Sequence, residues 1–401
     1  MSASSRRRSL MSAALAMSPD WTRIAVHSLP RRAEAEWRAL EATGLCTPYQ
    51  RYDWLAAWYE TVGQARRLQP AIVTIHGPGD SPAALFPLVI DSSGPARVAR
   101  FAGGKHCNAN MGVYAADFAP RLDSTRAAAL LFAMGESLPG VDAFDLRSQP
   151  VAWAGFANPL ACLGGAREAE QAFALTLQAG ESPDALARRL LGKDSRKKLA
   201  KKKRWLQEIG PTALHRAQTA AEAKEILEAF FRQRAARFAE RGMGNPFACP
   251  ATQDFLRRAA LSGLGQGRPA LELYALRCGD RIAATFGGCS DGRRLSGTFI
   301  SFEPDPALMR SSPGELLTME LAQAALSRGL AEFDLGMGDE GYKRHVCPEQ
   351  ERRVDVITPV TPLGHAVAFA LRGAGRVKQL VKRDDRVLRT VRRAFRLVSS
   401  F

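Results

Sequence analysis

At 401 residues and 46% hydrophobic content the chain is of globular composition and long enough for two domains. No apolar run approaches the ~18 residues of a membrane-spanning helix, so the sequence reads as one that does not cross a bilayer. The net charge of +16 is local: residues 188–204 hold ten Lys or Arg against Asp194, and residues 372–396 hold ten against Asp384 and Asp385. Such patches suit anionic partners, namely phosphorylated cofactors, nucleic acid or a membrane surface. Seven cysteines without a Cys-x-x-Cys pair point to reduced thiols in a cytosol, and six histidines show no metal-ligand spacing.

Arg6-Arg7-Arg8 and the short apolar run after it imitate a secretory signal without a clear cleavage site, so residues 1–20 are expected to be a disordered leader. Residues 31–43 read as a helix with Trp37 and Leu40 inward, ended by Gly44. Residues 47–59 form a turn and an aromatic-rich helix, with Trp54 and Trp58 read as core rather than a ligand cage. Runs 71–75 and 83–90 flank Gly77-Pro78-Gly79-Asp80, the pattern of a hairpin. The loop 101–113 places Gly103, Gly104, Lys105, His106, Asn108 and Asn110 together. It suits either a polar pocket or a loop whose amides satisfy their own backbone. A helix over 126–136, a strand over 143–146 and a Gly/Asn/Pro-rich connection over 150–165 follow.

The second half opens with a strand at 173–177. Ser182-Pro183 then starts a helix expected to run on through the basic stretch to Leu206. That stretch is either a solvated face with Leu199 and Leu206 inward, or, with Trp205, a track for a phosphate backbone. Residues 220–241 form a long helix with Ile226, Leu227, Phe230, Phe231 and Phe238 on one side. Runs 271–275, 281–287 and 294–300 predict an antiparallel meander. Arg310-Ser311-Ser312-Pro313-Gly314 leads into a helix over 316–328. Its start is a simple cap or, through outward-facing amides, a seat for pyrophosphate. A strand over 331–335 then breaks at Gly336 and Gly338 and delivers Asp339, Glu340, Tyr342 and Lys343. Titratable groups after a glycine turn at a strand end are how α/β enzymes present chemistry; the plain reading is a solvated strand-to-helix loop. The tail from 372 onward has helical apolar spacing under arginines, and suits docking on the protein's own core or on an acidic membrane.

The order meander, Ser-Pro-Gly turn, helix, strand and glycine-acid-Tyr-Lys loop resembles the acyl-CoA half of a GNAT acetyltransferase. Asp334-Leu335-Gly336-Met337-Gly338-Asp339-Glu340-Gly341-Tyr342-Lys343 resembles the Asp-x-Gly-x-Gly-Asp-x-x-Tyr-Lys signature of the CelD-type (BioF-like) acetyltransferases of cellulose and polysaccharide biosynthesis, relatives of the FemAB aminoacyltransferases. Thr47-Pro48-Tyr49-Gln50 with Trp54 and Trp58, and the 101–112 loop, are similar to the N-terminal half of that family. The resemblance spans roughly residues 45 to 350. It implies an α/β (α+β) fold of two tandem GNAT-like units with mixed, largely antiparallel sheets. The units are expected at 21–165 and 166–360, with a basic helical tail at 361–401.

The resemblance further implies acyl transfer from acetyl-CoA or another acyl-CoA, without a metal, to a small-molecule or saccharide amine or hydroxyl. Asp339 is the expected base, Glu340 the second choice, and Tyr342 the acid for the departing thiolate. Arg310, Ser311, Ser312, Gly314 and Lys343 are expected to hold the cofactor. His106, Asn108, Asn110, Asp334, Gly336 and Gly338 are expected on the substrate side. The turn at 310–314 is one glycine short of the usual GNAT pyrophosphate loop, so acyl-CoA use is implied by the family rather than by that motif. The expected location is the cytoplasm, with contact at the inner membrane face through the tail. Two competing readings are a FemAB-like enzyme that uses aminoacyl-tRNA, held by the basic helix, and a non-catalytic basic protein binding nucleic acid or membrane.

Overall fold

The computed structural model describes residues 20–166, 172–337 and 341–383. The first stretch contains β1 (Arg23–His27), α1 (Glu34–Thr43), α2 (Tyr52–Trp58), β2 (Gln69–His76), β3 (Pro82–Asp91), β4 (Val98–Phe101), β5 (Val113–Tyr114), α3 (Ser124–Glu136) and β6 (Ala143–Pro150). A small hairpin of β7 (Ala152–Trp153) and β8 (Phe156–Ala157) precedes β9 (Gly165–Ala166). Then come β10 (Ala172–Thr176), α4 (Pro183–Leu190), α5 (Lys193–Ile209), β11 (Thr212–Arg216), α6 (Ala220–Glu240) and α7 (Pro250–Leu261). The chain continues through β12 (Glu272–Cys278), β13 (Arg281–Ser290), β14 (Arg294–Phe302), the short α8 (Pro306–Met309), α9 (Pro313–Ser327) and β15 (Glu332–Met337). It closes with α10 (Gly341–Val346), β16 (Glu349–Glu351), β17 (Arg353–Pro359) and α11 (Pro362–Arg383).

Two sheets repeat one plan. The first has the order β1-β2-β3-β4-β6-β17-β9, with β5 also on β3; the second has β11-β12-β13-β14-β15-β10-β16. In each, an antiparallel meander is followed by a single parallel pair, β4 with β6 and β14 with β15. Parallel neighbours require a crossover, supplied by α3 in the first sheet and by α8 and α9 in the second. The fold is therefore α/β with two tandem units and mixed, largely antiparallel sheets. Local chemistry fixes the helix starts. Asp123 accepts from the Thr125 and Arg126 amides at α3, and Thr219 with Glu222 forms a capping box at α6.

The sheets exchange strands. Chain leaving the first unit supplies β10 beside β15, while chain leaving the second supplies β17 beside β6. β9 pairs with β17 and β10 with β16, so the two exchanged segments form one antiparallel ribbon crossing from sheet to sheet. Residues 353–359, allotted by the sequence to the second unit, thus lie in the first sheet, because the edge of β6 is where their backbone finds partners.

A second correction concerns the expected continuous helix from Ser182 to Leu206. It breaks at Leu191 and Gly192, both extended, since glycine is a poor helix former and restarts the chain as the cap of α5. Leu206 is buried and Leu199 packs partly against the core, while the lysines of α5 face outward. Trp54 and Trp58 are core, and Trp54 meets Phe255 of α7 edge-on at 4.6 Å, so the first unit shares its apolar cluster with helices of the second. The tail begins as α11 along β17; residues 384–401 lie outside the described ones. Among the described residues no helix is long and apolar enough to cross a membrane.

Candidate functional site

β14 and β15 run in parallel for only three residue pairs, Arg294 to Ser296 against Glu332 to Asp334, and then separate. Arg294 clamps the closed end. Its Nε donates to Asp334 at 2.6 Å, Nη1 to Glu332 at 2.9 Å, and Nη1 and Nη2 to Glu351 at 2.6 and 2.9 Å. The guanidinium also lies 4.4 Å from the ring centre of Trp153. Burial favours the neutral guanidine, but these carboxylates outweigh it and raise the Arg294 pKa well above its ordinary value. The Ser296 hydroxyl donates to Asp334 at 2.5 Å, and the other Asp334 oxygen accepts the Gly336 amide at 2.7 Å. Asp334, expected on the substrate side, is thus buried with both oxygens engaged. Its work is to fix the strand pair.

Where the strands part, the first unit enters the gap. The Gly297 carbonyl accepts from Asn108 Nδ2 at 2.8 Å and from the Tyr49 hydroxyl at 3.0 Å, and Asn108 Nδ2 also donates to Tyr49 at 3.2 Å. Gly336 makes room for this. Its φ is +72°, and an added Cβ would lie 2.5 Å from Asn108 Nδ2 and 2.6 Å from the Gly297 carbonyl. The glycine expected to approach a ligand therefore approaches the protein's own loop.

A cavity of about 640 Å³ opens beside the gap. Its floor is β14 from Gly297 to Ile300, with Asn108 and Met337 at the inner end and Ser312, Pro313, Gly314 and Glu315 of α9 on one wall. Arg234 and Arg237 of α6, with Arg241 just past its end, stand on the other, at spacings that share one helix face. Phe302, against which a Cβ at Gly314 would press at 3.2 Å, also carries the Arg237 guanidinium at 4.7 Å. Ser312 has left-handed angles (φ 50°, ψ 63°) and makes no side-chain cap. Pro313 has no N–H and the Glu315 amide donates to the Ser312 carbonyl at 2.9 Å, so the amide this turn presents to the cavity is that of Gly314.

The other expected site residues fall into distinct places. Ser311 is buried and its hydroxyl donates to the Leu308 carbonyl at 2.6 Å, so it stays within its own turn. His106 lies outside the cavity wall. Its Nδ1 accepts from Trp58 at 3.2 Å, its ring meets Phe255 at 5.2 Å, and burial lowers its pKa to about 4. Asn110 is buried in the first unit, with its amide on the Arg147 carbonyl at 3.3 Å and its oxygen on Gln50 at 3.3 Å. Both were expected on the substrate side, but the bends of the loop point only Asn108 at the gap. Arg310 stands on the rim between Met309 and Ser312. Tyr342 and Lys343 belong to α10, one turn after β15 ends at Met337 on the cavity wall. Gly338, Asp339 and Glu340 lie outside the described residues.

The sequence reading did not find Tyr49 in the gap or the arginine face of α6. The arginine spacing was visible, but the apolar side of that helix drew the assignment.

The family comparison falls on this part of the chain. Residues 193–344 match the model of an acetyltransferase (GNAT) domain. That stretch includes α5, the meander, α9 and β15. No curated protein matches the sequence. Among solved structures the chain is similar to the crystal structure of FemX, at 11% identity and a TM-score of 0.58, over 86% of this chain and 100% of that one. It is also similar to a conserved protein of unknown function from Bacteroides thetaiotaomicron VPI-5482, at 12% identity and a TM-score of 0.51, over 84% and 100%. At these identities the likeness is one of fold. It covers both units together with the domain matched by the family model.

Proposed function

We propose that the chain transfers an acyl group from an acyl-CoA to an amine or hydroxyl acceptor, and that the gap between β14 and β15 is where the thioester sits. One observation carries the reading: the first turn of α9 and the arginine face of α6 line the same cavity, whose inner end is the strand gap. The Gly314 amide at a helix start and arginines facing the same space suit a pyrophosphate, and diverging strands leave main-chain groups for an extended thiol arm.

In this reading Gly314 and Ser312 hold phosphate, with Lys343 and Arg310 as further cations. Asp339, or Glu340 in its place, takes the proton from the acceptor ammonium. The freed nitrogen attacks the thioester carbon and releases its surplus proton to solvent, the C–S bond breaks, and Tyr342 protonates the thiolate. Asn108 faces the acceptor. Its Nδ2 is spent on Gly297 and Tyr49, which leaves its carbonyl oxygen to accept from an incoming N–H. A saccharide acceptor in polysaccharide or envelope synthesis follows from the family resemblance, and contact of α11 with the cytoplasmic face of a membrane follows from the basic amphipathic spacing of the tail.

Calorimetry with acetyl-CoA tests the donor, on the full chain and on Gly314→Glu. Saturable binding by the former and none by the latter is expected. A second reading, with aminoacyl-tRNA as donor, is favoured by the outward lysines of α5. Failure of acetyl-CoA to bind, together with salt-sensitive tRNA binding, would replace the first reading by the second.

A further inference from the structure

The strand gap opens one residue after its last parallel pair, Ser296 with Asp334, and the first unit fills it at that point. Asn108 Nδ2 lies 2.8 Å from the Gly297 carbonyl on β14 and 2.5 Å from where a Cβ on Gly336 of β15 would stand. One side-chain amide therefore bridges the two strands where they part. Tyr49 backs it: this buried residue donates its hydroxyl to the same carbonyl at 3.0 Å and accepts from Asn108 at 3.2 Å. Among the described residues, Asn108 alone brings the first unit onto the cavity wall.

The loop that carries Asn108 is braced on both sides. The Cys107 sulfur accepts the Trp54 indole N–H at 3.3 Å, and the Ala109 carbonyl accepts from the Thr47 hydroxyl at 3.0 Å. The Asn110 amide donates to the Ser148 carbonyl at 3.1 Å. Close-packed interiors transmit strain rather than yield, so whatever reaches the inner end of the cavity must fit in front of the Asn108 amide. Drawing that amide back would also remove a partner from the Gly297 carbonyl and the buried Tyr49 hydroxyl.

We infer that Asn108, supplied by the first unit, limits the length of the transferred acyl group, admitting acetyl and excluding chains of butyryl length or longer. The inference rests on the proposed donor reading, in which phosphate lies at Gly314 and the thiol arm runs along β14 toward Gly297. An acyl group on that arm points from the mouth of the cavity to its inner end, where Asn108 stands. Each added methylene there meets space already filled by the amide and by Tyr49, and overpacking of this kind is unfavourable. A polar amide with its N–H committed also gives an apolar chain no compensating contact. Asn108 is thus a specificity-determining residue for the donor.

Calorimetry with CoA, acetyl-CoA, butyryl-CoA and hexanoyl-CoA on the full chain tests this. Acetyl-CoA is expected to bind at least as tightly as CoA, and hexanoyl-CoA about tenfold or more weakly than acetyl-CoA. Asn108→Ala empties the inner end and should reduce the hexanoyl penalty to about threefold or less. Asn108→Ser, which shortens the side chain but keeps a polar tip, should do the same, and cooperative thermal unfolding shows which of the two is folded. Tyr49→Phe removes a hydroxyl from the same cluster but leaves Asn108 in place, so the penalty should remain. Equal affinities for acetyl-CoA and hexanoyl-CoA in the unaltered protein overturn the length limit and leave the donor reading standing. A penalty that survives in the folded Asn108 variants, or that Tyr49→Phe also abolishes, overturns Asn108 as its cause. Binding of none of the four compounds overturns the donor reading and the length limit together.

Discussion

Replacing Arg294 with methionine tests whether one buried guanidinium holds the closed end of the strand gap. Its side chain is 2% exposed and makes four charge-assisted contacts, to Asp334, Glu332 and both oxygens of Glu351. Methionine fills much of the volume but leaves Asp334 buried, with only Ser296 and the Gly336 amide as partners. Breaking a buried pair by removing one member costs about 3–5 kcal/mol, a large share of the 5–15 kcal/mol typical of a domain. Urea unfolding at pH 7, with the slope checked against the unaltered protein, measures it. The pH dependence gives a second readout. Burial pushes the Glu351 carboxyl up, but Arg294 and then Arg353 outweigh it and hold its pKa below the ordinary value of 4.5. A depressed carboxyl contributes stability that is complete above its unfolded value and lost as pH falls through the folded one. The unaltered protein should therefore lose this contribution below about pH 4.5, and the variant should show a flatter acid limb. A loss under about 1 kcal/mol with an unchanged acid limb would refute the clamp.

Gly336→Ala forces a side chain into a +72° φ and against Asn108, so a loss of about 1–3 kcal/mol is expected in the same unfolding assay. Asn108→Leu removes the donor to Gly297 and Tyr49 while Tyr49 stays; we expect about 1–3 kcal/mol of destabilisation and a raised KM for the acceptor. Tyr342→Phe should cut kcat by about a hundredfold or more with acetyl-CoA binding retained, and full turnover would remove Tyr342 from the mechanism. Glu41, whose carboxylate accepts from the Tyr52 amide, is pushed up to about 7 by burial. A raised acid favours the folded state while protonated and loses that contribution as pH rises from about 4.5 through 7. Glu41→Gln should therefore gain stability relative to the unaltered protein at pH 8 but not at pH 5, read from melting temperatures.

Periodicity and turn residues were enough to read the meander of β12 to β14, the β2–β3 hairpin and helices α3, α6 and α9, because these rest on local signals. The exchanged strands were not legible. β10 and β17 pair across long stretches of chain, and nothing in either segment names its partner. Asp334 and Gly336 stood out by residue type, but their roles depend on Arg294 and Asn108, which only the tertiary fold brings near. The Ser312-Pro313 start read more readily as a simple cap than as a phosphate seat. A left-handed Ser312 with no side-chain cap removes that alternative, through a backbone angle that no sequence pattern specified.

The ribbon that crosses between the sheets also sets a clock on synthesis. β6 emerges early, but its neighbour β17 lies at Arg353–Pro359. At roughly 5–20 residues per second, a ribosome needs on the order of 10–40 s to deliver that partner. Throughout that interval an apolar strand edge stands open to any other extended chain, which is how nascent proteins aggregate. The nascent first unit should therefore depend on a chaperone that shields strand edges, and refolding of the full chain should yield less soluble protein as concentration rises.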